Sequence, residues 1–328
     1  MPDRQRAFAA FVLIIGSCLG GVTHGQPQQP LVAPIAPIAI DASEQQITQV
    51  VNAVRAGRKL TPTSWPGGAR VAVGLSFDVD NELLSRRTPL PVPLSQGEYG
   101  ATTGLPRILA MLDRQQVPAT FYVPAVSAML HPEMIPAILK ANRHEIGVHG
   151  WIHENLPSIG DAAHEEQLLT KAIDYLTKAI GKRPVGYRAP SWAFSPNTLP
   201  QIIKAGFAYD SSFMARDEPY ELLRDGAATG MVELPIEWIL DDFPYYNGDA
   251  SGSLPSPEAV LQIYKDEFDA AYEEGTMLIL TTHPHVSGHR SRVMQLEKLV
   301  AYMKSKPGVW FATLEQIADA VKAADRSR

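Results

Sequence analysis

Val71-Ala72-Val73-Gly74-Leu75-Ser76-Phe77-Asp78-Val79-Asp80-Asn81-Glu82 is an apolar run of strand length that ends in two carboxylates. Pro66-Gly67-Gly68 punctuates its entry and Arg70 gives it a polar start. Asp78 and Asp80 are two residues apart, so in an extended chain both side chains lie on one face. Carboxylates so placed repel unless a proton or a metal ion compensates them. Taken alone, the phrase also reads as an acidic strand-to-loop turn. The residues that choose between these readings lie further along the chain.

From residue 69 onward, strand-like and helix-like segments alternate with no break in composition. Strands are expected at 71–78, 119–123, 145–149, 185–188, 207–210, 232–238, 277–282 and 309–313. Helices are expected at 104–114, 132–141, 161–180, 195–205, 257–274, 290–304 and 314–324. Seven or eight strand–helix units of this length predict an α/β fold, a deformed (β/α) barrel. A doubly wound open sheet is the rival on pattern alone. No Gly-rich nucleotide loop follows any of these strands. A barrel also says where chemistry should sit, at the C-terminal ends of the strands.

The N-terminal part reads differently. Arg4 and Arg6 precede an apolar and small-residue run from Ala7 to Val22, so residues 1–25 are expected to be an export signal. A competing reading takes Ile15-Gly16-Ser17-Cys18 as a lipoprotein cleavage box with Cys18 lipidated. Export makes the protein periplasmic or extracellular, and lipidation would anchor it to a membrane. Residues 26–68 are expected to form a Pro-rich tether (Pro27, Pro30, Pro34, Pro37) and a short helix. Ser43 and Gln46 approximate a capping box for that helix, with Ile47, Val50, Val51 and Val54 on one face. Residues 69–328 are expected to form the catalytic barrel.

Cys18 is the only cysteine, so the mature chain has no disulfide and no thiolate metal site. The formal charge is −6, and nothing basic is clustered enough to suggest nucleic acid. No later segment is long and apolar enough to span a membrane.

The polar residues chosen for chemistry fall at the expected strand ends. His149 and His153, in Val148-His149-Gly150-Trp151-Ile152-His153-Glu154-Asn155, are spaced to turn two imidazoles toward one ion at the start of a helical turn. Asp80 adds a hard anionic ligand from the neighbouring strand. Two His and one carboxylate with an open position is a hydrolytic zinc arrangement. His144 begins the strand that His149 ends and reads as structural. One aspartate can bind the metal while the other takes a proton from water; geometry alone does not say which. Arg188 can orient the free carboxylate. His283 follows the apolar strand directly and suits a general acid, with His285 and His289 as rivals. Phe243 and Tyr245 in the loop at 241–248, with Trp151 and Trp192, are candidates for stacking on a sugar or ring. Leu156, Trp238 and Ile239 read as core.

In this order the motifs resemble the polysaccharide deacetylase family, the NodB-homology carbohydrate esterases. The resemblance rests on the Phe77–Asp80 phrase, His149/His153, Arg188/Pro190, Asp210/Ser212 and His283, and covers roughly residues 70–290. It implies that Asp78 is the catalytic base and that Asp80, His149 and His153 hold one divalent metal, zinc first. It also implies that Arg188 tethers the base, that His283 is the acid and that a backbone N–H near Ser191 helps hold the oxyanion. The expected activity is removal of N-acetyl groups from a glycan such as peptidoglycan or a chitin-like oligosaccharide. Glu82, 98–100, 217–221 and 237–242 are most similar to a subgroup that also holds allantoinase-like and cyclic-imidase-like enzymes. A small cyclic amide or ureide is therefore the rival substrate, and a catalytically silent glycan-binding barrel the rival from another class. Subgroup resemblance also suggests a homo-oligomer.

Overall fold

The computed structural model describes residues 38–85, 89–246 and 254–326. The export segment, Cys18, the prolines of the tether, and Asn247 and Gly248 lie outside the described residues. Among the described residues ten strands form one sheet: β1 (Val54–Lys59), β2 (Val71–Asp78), β3 (Thr120–Val123), β4 (Glu145–Val148), β5 (Gly186–Tyr187), β6 (Tyr209–Asp210), β7 (Tyr220–Arg224), β8 (Ala227–Glu233), β9 (Met277–Thr282) and β10 (Val309–Ala312).

The sheet runs β1-β7-β8-β6-β5-β4-β3-β2-β10, with β9 on the other side of β2. All pairings from β8 through β6, β5, β4, β3 and β2 to β9 and β10 are parallel. That makes eight parallel strands in a curled half-barrel covered by helices, the expected (β/α) architecture. β2 sits at the centre. β9 covers one of its edges from Ala72 to Phe77, while β10 takes Val71–Gly74 and β3 takes Ser76–Asp78 on the opposite edge. A strand enclosed in this way must be buried on both faces, and all eight of its residues are.

Alternation along β2 then assigns the faces. Val71, Val73, Leu75, Phe77 and Val79 pack into the large core between sheet and outer helices. Ala72 packs into a second, inner cluster with Met277, Ile279, Leu314, Ile317 and Val321. Gly74 shares Ala72's face, and a Cβ there would meet Leu314 at 2.8 Å, so the helix Leu314–Arg326 closes the inner face where the strands begin. Period 2 puts Ser76, Asp78 and Asp80 on that inner face too. Small residues at the start of the strand accommodate the helix, and polar ones at its end are left for the site.

Three expectations change. The short helix is Glu44–Asn52 with a complete Ser43/Gln46 capping box, but Ile47, Val50 and Val51 are exposed and Val54 opens β1. β1 pairs antiparallel with β7, and Leu60 and Trp65 behind it are buried, so the stretch read as tether and helix contributes to the sheet. Val-Arg-Ala-Gly-Arg-Lys carries no apolar run because it is an edge strand, whose charges keep other chains from pairing with it. The strand expected at 232–238 begins instead at Ala227 and ends at Glu233, and Trp238 opens a 3-10 turn. No helix of the described residues is long and apolar enough to cross a membrane.

At the start of β4, Glu145 is buried beneath the site. Tyr209 and Thr120 hydroxyls and the Glu315 backbone N–H all donate to its carboxyl. Burial outweighs these donors and pushes its pKa up to about 7. A folded-state pKa above the unfolded one favours folding fully only below the unfolded pKa, and the advantage is lost as pH rises through the folded value. Between about pH 5 and pH 8, wild-type stability should therefore fall by about 3 kcal/mol from this group. Chemical denaturation of Glu145→Gln should show that slope removed; an unchanged slope would assign the titration elsewhere.

Candidate active site and metal centre

The polar residues singled out for chemistry at the strand ends, other than His285 and His289, converge on one cavity of about 110 Å³ or on the residues directly behind it. Asp78, Asp80, His149, His153 and His283 line it, together with Ser191, Trp192, Trp238, Asp241 and Phe243. Asp78 ends β2, His149 follows β4, Arg188 follows β5 and His283 follows β9. This is the C-terminal mouth of the barrel, where loop residues can vary without disturbing the strands.

Arg188 is fully buried. Its Nη1 donates to Asp78 Oδ1 at 2.7 Å and to Ser76 Oγ at 3.0 Å. Its Nε and Nη2 donate to the carbonyl and hydroxyl of Ser211, each at 2.9 Å, and its guanidinium lies 4.2 Å from the centre of the Tyr122 ring. Burial alone would raise the Asp78 pKa, but Arg188, with His149 and His283, holds that carboxyl below its usual range. Burial pushes Asp80 the other way, upward, against His149 and His283. The pair of acids is thus divided by its surroundings.

Asp80 Oδ1 is buried with no hydrogen-bond partner. It lies 3.4 Å from His149 Nε2 and 3.7 Å from His153 Nε2. One ligand atom from each of the three residues falls within 4.8 Å of the others, all buried. His149 Nδ1 donates to the Arg188 carbonyl at 2.8 Å, which leaves the lone pair on Nε2, toward Asp80. An orphaned carboxylate oxygen facing a tautomer-locked imidazole fits a divalent cation with nitrogen and oxygen ligands.

The loop carrying the histidines is not the expected helical turn. Gly150 and His153 both have left-handed φ angles of 77° and 53°. Glu154 holds the loop by accepting from the backbone N–H groups of Trp151 and Ile152 at 2.8–3.1 Å. A Cβ at Gly150 would lie 2.8 Å from Pro190 and 2.9 Å from Glu154, so only glycine passes there.

His283 faces the cavity from the end of β9, the strand paired with β2. Its Nδ1 donates to Asp242 Oδ1 at 2.7 Å, its backbone N–H donates to Asp242 Oδ2 at 3.0 Å, and its Nε2 is 3.8 Å from Asp80. Burial would lower its pKa, but Asp242, Asp241 and Asp80 outweigh burial and hold it well above the usual value. In the sequence nothing distinguishes Asp242 within its loop; only its position in 241–248 points to it. Behind Arg188, Ser212 Oγ accepts from the Ala189 N–H and donates to Asp210. The Ser212 and Phe213 N–H groups donate to Glu233, whose carboxyl is driven up by burial and by the neighbouring Asp210.

The aromatic candidates divide. Ser191 and Trp192 both adopt left-handed φ angles of 54°, which turns the Trp192 ring onto Trp238 at 4.1 Å between centroids. Two such residues in sequence store backbone strain at the rim. Trp238 and Ile239, read as core, are 47% and 42% exposed, because the chain leaves the sheet at Glu233; Leu156 is core as expected. Phe243 lines the cavity, but Trp151 and Tyr245 do not. Trp151 is packed between Tyr175 and Lys171, and Tyr245 donates to the Ile239 carbonyl and meets the edge of Tyr264. His144 lies away from the site against Phe121, and His289 stacks on Tyr99.

The family model for polysaccharide deacetylase matches residues 95–209. The chain is 32% identical over 257 residues to a peptidoglycan deacetylase of Helicobacter pylori, covering 70% of this chain and 87% of that protein. A Mycobacterium smegmatis structure named for polysaccharide deacetylase superposes with a TM-score of 0.75 at 37% identity, over 83% of this chain and 96% of that one. An allantoinase structure superposes with a TM-score of 0.69 at 27% identity, over 79% and 92%.

Replacing Arg188 by Met should destabilise the protein by about 3–5 kcal/mol, because it leaves the Asp78 charge buried and unpaired. Denaturant unfolding reads this directly; a loss under about 1 kcal/mol would mean that the pair behaves like a surface ion pair.

Proposed function

Because the chain belongs to the polysaccharide deacetylase family, hydrolases of carbon–nitrogen bonds other than peptide bonds, we propose that it removes N-acetyl groups from a glycan of the peptidoglycan or chitin type. The observation that carries this reading is the orphaned Asp80 oxygen facing His149 and His153, set between an arginine-held carboxylate and an aspartate-held imidazole. The apolar run at Ala7 to Val22 supports export to where such glycans occur.

Asp80, His149 and His153 would hold one divalent ion, zinc by its donor set. Bound there, such an ion supplies Lewis acidity, polarising an acyl oxygen and lowering the pKa of water. The remaining work falls to the chain. Asp78 Oδ1 is occupied by Arg188, so Oδ2, 3.8 Å from His149 Nε2, takes the proton from the attacking water. His283 carries its proton on the Nε2 side of the cavity and gives it to the nitrogen as the carbon–nitrogen bond breaks. Asp242 keeps that imidazole oriented and charged. The backbone of the Pro190–Trp192 turn stands at the cavity rim and suits a contact with the developing oxyanion.

A second reading, ring opening of a small cyclic amide or ureide, is favoured by the likeness to the allantoinase structure. Acetate release from chitooligosaccharides and peptidoglycan, with and without chelator, beside ring opening of hydantoin, separates the two. Chelator-sensitive acetate release is expected. Ring opening without acetate would select the second reading, and tight glycan binding with neither reaction would make the barrel a binder.

Asp78→Asn should reduce turnover roughly 10²–10⁴-fold with metal content kept, the span for loss of a general base. His149→Ala should lose bound metal, read by elemental analysis of the purified protein. An active Asp78→Asn or a fully loaded His149→Ala would remove the residue from its assigned role.

A further inference from the structure

A larger cavity, of about 260 Å³, adjoins the catalytic one, and Leu84 and Phe243 line both. Its polar walls come from the same strand ends as the catalytic groups. Asn81 follows Asp80 directly, and His285 lies two residues after His283. Both are buried, at 1% and 3% exposure. Asn81 has a left-handed φ of 51°, uncommon for a residue with a side chain, and its Nδ2 donates to Ser127 Oγ at 2.6 Å. Its Oδ1 and the His285 Nδ1 are buried without hydrogen-bond partners. A buried polar atom left unpaired is costly, because it has given up water without a replacement. Two of them beside one cavity mark a wall that has not been built for stability alone.

The outer side of the cavity is closed by the helix Pro91–Tyr99. Gly97 presses it onto the turn Asn81–Ser85, where a Cβ would come within 2.2 Å of the Glu82 backbone. Gln96 is exposed on that helix and supplies a donor and an acceptor at the mouth. None of the described residues lining this space carries a formal charge, whereas the catalytic cavity next to it holds three aspartates. An ionic ligand would find no counter-charge among them. A small cyclic amide would occupy the first cavity and leave the second unused, while an oligosaccharide has a hydroxyl-bearing ring to put there.

We propose that this cavity is a second binding chamber, which receives a neutral, hydroxyl- or amide-bearing ring of the substrate next to the unit that loses its acyl group. This rests on the deacetylase reading above. Asn81, Gln96 and His285 give the chamber its hydrogen-bonding wall, and Leu84 and Phe243 form the apolar partition over which the substrate passes.

The test compares kcat/KM for chitotriose and N-acetylglucosamine in wild type, Gln96→Trp and His285→Asn, with bound metal measured alongside. Wild type should prefer the trisaccharide. Gln96→Trp, which fills the mouth from an exposed helix position, should lower that preference about tenfold or more, mainly through KM. His285→Asn should lower it in the same direction; should that buried variant fail to fold, Gln96→Trp decides alone. A wild type without preference, or a Gln96→Trp protein that keeps it in full, overturns the chamber. Wild-type protein that opens hydantoin and releases no acetate from either sugar overturns the deacetylase reading itself, and the chamber's occupant with it.

Discussion

The guanidinium of Arg188 is the interaction on which the site is assembled. A charge with no solvent exposure persists only where pairing and hydrogen bonds replace its hydration. Arg188 meets that condition with donations to Asp78, Ser76 and both oxygens of Ser211, and with the Tyr122 ring beneath it. The same residue's carbonyl accepts from His149 Nδ1. Its side chain therefore holds the carboxylate of β2, and its main chain selects the tautomer of the imidazole after β4. The ends of β2, β4 and β6 are tied together by this one residue.

That residue needs its own support, because β5 is only two residues long. The support is polar and comes from the next strand. Ser212 Oγ accepts from the Ala189 N–H and donates to Asp210, while Glu233 accepts from two backbone N–H groups at 212 and 213. Asp210 and Glu233 would repel if both were ionised, and burial raises the pKa of both carboxyls, which favours protonation. The hydrogen bonds at Ala189, Ser212 and Phe213 hold the backbone that leads into the 188–192 turn and that of the segment beside it. The strained pair Ser191 and Trp192 sits at the end of that turn and is held by it.

Much of this is legible in the chain. The apolar run of β2 announces a strand, and its period of two places Asp78 and Asp80 on one face. His149, Arg188 and His283 stand out because each closes or follows an expected strand, and His153 stands out by its spacing from His149. What escapes does so for physical reasons. β1 and β7 are short and partly charged, and their pairing is a long-range event that no local pattern encodes. Glu154 looks like any surface acid until the loop folds back to give it backbone N–H groups. Asp242 lies 41 residues from His283, in a loop whose aromatics are its more conspicuous feature. Trp238 reads as core only if the strand is extended through it, and the strand stops at Glu233.

In the proposed reaction, the division of labour between acid and base follows from these anchors. Asp78 and His283 line the same small cavity from the ends of the paired strands β2 and β9, and each has a buried partner of the opposite charge behind it, Arg188 for one and Asp242 for the other. The partner of the carboxylate drives its pKa down and the partner of the imidazole drives its pKa up. Two groups that would otherwise exchange a proton are thereby kept apart in their reacting states, one bare and one protonated. Asp80 lies beside them with a carboxylate oxygen that neither anchor engages, so a cation held there would stand where the two halves of the proposed reaction meet.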